Sequence, residues 1–152
     1  MDKAFIWKLN NFALSVILLT IGTLIYLIKR EDSLLVFNWL REFNLDIYID
    51  FIRHKFSNLE MLNSNFVIYS LPGGLWMMSF ALFFNIVWKI EDIQKYIWMF
   101  FAMLPAVGSE ILQYLGMISG TFDMLDLLAY LTGYLIIVVY VHTFEKIFSN
   151  KN

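Results

Sequence analysis

Residues 110–133, EILQYLGMISGTFDMLDLLAYLTG, place carboxylates inside an apolar run. At bilayer depth a charged side chain costs at least about 2.5–3.5 kcal/mol, so such groups face protein or a watery cavity and point to function. Glu110 and Gln113 are three residues apart, as are Asp123 and Asp126; Tyr130 and Gly133 continue the second series at helical spacing. Two polar faces then meet across a short turn. Carboxylates so placed can act as a general base, ligate a divalent cation, relay protons, or line a pocket for a polar head group. Tyr114 and Tyr130 are candidate donors to them.

The elements that must position these residues follow from composition. The 152-residue chain is 60% hydrophobic and 18% aromatic, with a mean hydropathy of +0.66, beyond the range of ordinary soluble domains. The expected fold is an all-α polytopic membrane protein, a single bundle of about four spanning helices plus an interfacial amphipathic segment. The 11 basic residues nearly balance 13 acidic ones and are scattered, which leaves no electrostatic footprint for nucleic acid. Cysteine is absent, so disulfides, thiolate nucleophiles and Cys-ligated metals are excluded.

Spans are expected at about 11–28, 69–88, 94–115 and 123–144, each apolar and long enough to cross about 30 Å of hydrocarbon. The first is read as an uncleaved anchor, because Lys29 and Arg30 follow it where a signal peptide would show a small-residue cleavage site. Between about 30 and 64, Trp39, Phe43, Tyr48, Phe51 and Phe56 alternate with Arg41, Asp46, Asp50, Arg53 and Lys55. This suits one or two helices in the headgroup zone, although the alternation over 45–51 also fits a short strand. Pro72-Gly73-Gly74 reads as a bend at the entrance of the second span, with Trp76 and Trp88 as interface anchors. Lys89, Glu91, Asp92 and Lys95 form a polar loop. Pro105 is expected to kink the third span and aim Glu110 and Gln113 inward. Gly108, Ser109, Ala129 and Gly133 offer close helix approach. His54 and His142 read as solvated residues.

An even number of spans puts both termini on one side with Lys3, Lys8, Lys89, Lys95, Lys146 and Lys151, against Lys29, Arg30, Arg41, Arg53 and Lys55 on the other. Six against five favours cytoplasmic termini by the positive-inside rule.

Over its last third the chain resembles the VanZ-like family of small membrane proteins. That family's pattern is Glu-x-x-Gln, an Arg, an Asp, then Asp-x-x-x-Asn-x-x-Gly. Glu110, Gln113, Asp123, Asp126 and Gly133 match it, while Gly120 stands where the family has Arg and Tyr130 where it has Asn. The resemblance implies a multi-span bundle in the bacterial inner membrane and an envelope role, connected in some members with glycopeptide-type antibiotic resistance.

The expected site is therefore Glu110, Gln113, Asp123, Asp126 and Tyr130, with no cofactor and no metal. Its expected partners are membrane lipids, a lipid-linked head group or other membrane proteins. The plain alternative is that Thr121 and Asp123 cap the last helix and all three acids are wet. Three functions compete: non-enzymatic binding or shielding of a lipid-linked cell-wall component, an enzyme acting on lipid head groups, and a small proton- or ion-coupled carrier.

Overall fold

The structure is a computed structural model that describes residues 3–56, 58–59, 64–88 and 93–149. Four helices are long and apolar enough to cross a membrane: Lys3–Lys29, Phe66–Val87, Gln94–Tyr114 and Met124–Phe144. The chain is an all-α polytopic protein. The first span, α1 (Lys3–Lys29), starts well before the expected 11–28, and Trp7 ahead of that run is buried against the rest of the bundle, as is Asn11 at its start. Two short helices follow, α2 (Leu35–Glu42) and α3 (Asp46–Phe56). The strand alternative for 45–51 thus gives way to a helix. The two are separated by a Schellman turn in which Asn44, at φ 56°, takes the left-handed position that asparagine tolerates and the Leu45 amide donates to the Leu40 carbonyl. Trp39, Phe43, Ile47, Tyr48 and Phe51 remain exposed on this pair, a combination suited to the headgroup zone. The end of the expected interfacial segment, and the expected loop residues Lys89, Glu91 and Asp92, lie outside the described residues.

The second span opens with a π-helical turn, Phe66–Ser70, and continues as α4 (Leu71–Val87). Pro72 sits in the first turn of α4, where its missing N–H costs little. Gly73 and Gly74 do not bend the chain. They are packing positions inside the helix: the Ala129 carbonyl oxygen lies 3.1 Å from where a Cβ on Gly74 would stand, and the Tyr130 ring 2.5 Å from one on Gly73. Helix α4 is the most buried span and lies between α1 and α7 (Met124–Ser149). Trp76 packs on Gly22 and Tyr26 of α1 and donates to Thr23 Oγ1 at 3.3 Å.

The third span kinks where α5 (Gln94–Phe101) and α6 (Leu104–Tyr114) meet at a turn over Ala102 and Met103, both still in the right-handed helical region, with Pro105 in the first turn of α6. Pro105 has no N–H to give the Phe101 carbonyl, which interrupts the helical ladder just before it. Lys95, expected in a polar loop, is on α5 and 1% exposed, with its ammonium 5.1 Å from the Tyr96 ring centroid. Met77, Ala81 and Leu82 of α4, Met99 of α5, and Ile137 and Val141 of α7 form the core.

One polar contact crosses the middle of the bundle. Ser15 on α1 and Ser79 on α4 exchange hydroxyl-to-carbonyl bonds of 2.9 Å in each direction, in a buried site. Interhelical bonds of this kind contribute about 0.6 kcal/mol on average and at most about 1.7. Ser15→Ala is expected to lower stability by that amount in a mixed-micelle unfolding titration, and a loss well above it would mean that the Ser79 carbonyl, deprived of the Ser15 hydroxyl, finds no other donor.

Candidate functional site

Successive spans alternate in direction, which brings the end of α1, the start of α4, the end of α6 and the start of α7 to one face, opposite the termini. Helix α6 stops there in a Schellman turn: Gly116, at φ +67°, lets its own amide reach the Gln113 carbonyl at 3.0 Å and the Met117 amide reach that of Leu112 at 2.9 Å. The chain then returns through 117–122 to Asp123, whose Oδ1 accepts the Leu125 amide at 2.8 Å and so caps α7.

Glu110 is 3% exposed, and its Oε2 accepts the Asp123 amide at 3.1 Å. This bond ties α6 to α7 across the turn and satisfies one of the orphan donors at the α7 N-terminus. Asp126, one turn further along α7, is half-buried and within Coulombic range of Asp123 and Glu110. Tyr130 is half-buried below them, its ring against Gly73, within the same range of Asp126 and Glu110. Glu110, Asp123, Asp126 and Tyr130 therefore converge. Gln113 belongs at the edge: its amide lies over Gly120 of the turn and makes no hydrogen bond to the carboxylates. Tyr114 is 72% exposed and meets Phe122 edge-on, so it is no donor to the acids.

A basic residue from another segment stands near these carboxylates. Arg30, just beyond α1, is within Coulombic range of Asp126 and Tyr130 but makes no direct ion pair. Its guanidinium lies 4.8 Å from the Tyr69 ring centroid and 5.4 Å from that of Tyr26, cation–π contacts that hold it in place. Its carbonyl is held too. Arg53 of α3 donates from Nη2 to the Arg30 carbonyl at 2.7 Å and from Nε to the Leu27 carbonyl at 2.8 Å, and pairs with Asp32. Arg53 thus caps the C-terminal carbonyls of α1 and is no mere solvated headgroup residue. Ser70, 1% exposed in the π-helical turn, completes the group beside Asp126.

Arg30 and Ser70 escaped the sequence reading because they lie on other spans. The signal was nonetheless there: a basic residue at the end of the first span shares a face with acids at the start of the fourth. Both histidines are exposed, His54 on α3 and His142 on α7. Among the described residues no three His, Asp or Glu side chains are placed to hold a metal ion. No protein family model matches this chain, and no curated protein and no solved structure is detectably similar to it.

Proposed function

We propose that the chain is a VanZ-like protein of the bacterial inner membrane, with both termini cytoplasmic, that binds a polar head group at the outward ends of its spans. It acts without catalysis, by occupying or shielding a lipid-linked cell-wall component. The observation that carries this reading is Glu110, buried and bonded to the Asp123 amide, with Asp126 and Tyr130 on the same polar face. Carboxylates confined at a span end are costly to keep and suit recognition of a head group at that depth. The Glu-x-x-Gln and Asp-x-x-Asp spacing adds the family likeness.

Production of the protein in a glycopeptide-susceptible bacterium is expected to raise tolerance to glycopeptide antibiotics. Unchanged tolerance beside good membrane abundance sinks the resistance role. A C-terminal reporter active only in the cytoplasm is expected to be active; a silent reporter on abundant protein inverts the topology and moves the site to the cytoplasmic leaflet.

A further inference from the structure

Three side chains from three segments meet at the site with buried polar atoms that make no hydrogen bond of normal length and angle, Arg30 Nε, Ser70 Oγ and Asp126 Oδ1, although the Ser70 hydroxyl is near enough to Asp126 to stabilise its charge. One is a cationic donor, one a hydroxyl that donates or accepts, one an anionic acceptor. Leaving each of them empty-handed costs about 1–3 kcal/mol, more for the charged ones. Arg30 and Asp126 have opposite charge and share a small space, yet they do not close on each other. The guanidinium is held back by the Tyr69 and Tyr26 rings, and its backbone by Arg53. The fold holds a cation and a carboxylate near one another without pairing them.

We propose that this unpaired set receives a zwitterionic head group, an ammonium and an oxyanion a few bonds apart, with the oxyanion on Arg30 and Ser70 and the ammonium on Asp126. This rests on reading the carboxylate cluster as a binding pocket and names what enters it. The charges exclude the simpler ligands. A plain anion would meet Arg30 but also Asp126, Glu110 and Asp123; a plain cation would satisfy the acids but face the guanidinium. A zwitterion meets both, and its N–H and oxyanion groups match the orphan acceptor and donors. Phosphatidylethanolamine in the leaflet at that depth carries this chemistry, and so does a free phosphoethanolamine.

The test uses the full chain in nanodiscs of phosphatidylethanolamine with phosphatidylglycerol, of phosphatidylcholine with phosphatidylglycerol, and of phosphatidylglycerol alone, with retained lipid counted by native mass spectrometry. Phosphatidylcholine is the informative control, being zwitterionic but lacking ammonium N–H donors. Wild type is expected to retain phosphatidylethanolamine over both other lipids by roughly fivefold or more. Arg30→Gln and Asp126→Asn should each abolish the preference, and Arg30→Lys should restore part of it, because charge persists without the planar fork. Ser70→Ala, the mildest change, serves if either charge variant fails to fold, and should weaken the preference. Free phosphoethanolamine that displaces the lipid from the phosphatidylethanolamine nanodiscs identifies the head group as the recognised part; failure to displace assigns recognition to the whole lipid. Equal or stronger retention of phosphatidylglycerol overturns the zwitterion while leaving the pocket standing, provided Glu110→Gln abolishes it. Retention of no lipid, in any nanodisc, overturns both and leaves the three atoms to bound water.

Discussion

Gly133→Leu is expected to push α4 and α7 apart and to lower stability in detergent by about 3 kcal/mol, the upper end of the usual cost of overpacking. The Gly74 carbonyl oxygen lies 2.7 Å from where a Cβ on Gly133 would stand, and Met78 Cγ 3.1 Å away. The first of these is backbone and cannot swing aside. Because α4 is the helix that both α1 and α7 pack against, separation there loosens the bundle and moves Ser70 away from Asp126. Gly108 on α6 supplies the control, since nothing lies within 4 Å of a Cβ built there. Gly108→Leu should be neutral or slightly stabilising, because glycine in a helix interior costs about 1 kcal/mol relative to a good helix former. Thermal unfolding of both variants in one detergent decides the matter, and equal shifts would show that α4 and α7 are not in close contact.

The contrast between these two glycines shows where sequence reading stops. Both read as small residues that admit close approach, and only their partners tell them apart. Gly133 meets Gly74, which had been spent on a bend: local turn chemistry and helix packing both want a residue without a Cβ, and a Pro-Gly-Gly string cannot say which is served. The spans themselves were legible because each is a long apolar run, and their lengths answer to bilayer thickness rather than to partners. The acidic half of the site was legible for a related reason, as Glu110, Asp123 and Asp126 are near one another in sequence. The basic half was not. Arg30 stands far from Asp126 along the chain, and its role depends on Tyr69 and Arg53, residues from two further segments. Lys95 was misplaced for want of the same tertiary information: a lysine beside a charged loop reads as loop until a helix buries it.

Glu110 is expected to divide structure from function most cleanly of all the site residues. Its Oε2 accepts the Asp123 amide, so Glu110→Ala leaves that N–H without its partner next to a helix N-terminus, at a cost of about 1–3 kcal/mol, and releases the turn that carries Asp123 and Asp126. Glu110→Gln keeps a side-chain oxygen of the same reach, so the bond persists and the fold with it, while the negative charge is gone. A neutral amide is also cheaper than a carboxylate to hold in a site 3% exposed. Folded abundance should therefore fall for Glu110→Ala and hold for Glu110→Gln, whereas any envelope phenotype should fall for both. Asp126→Asn should behave as Glu110→Gln does, since the amide keeps the shape and one oxygen of the carboxylate and removes only its charge. Membrane abundance, unfolding midpoint and phenotype measured side by side for the three variants supply the check. If Glu110→Gln and Asp126→Asn leave the phenotype intact, the carboxylates serve only to close the α6–α7 corner, and the site has no ligand.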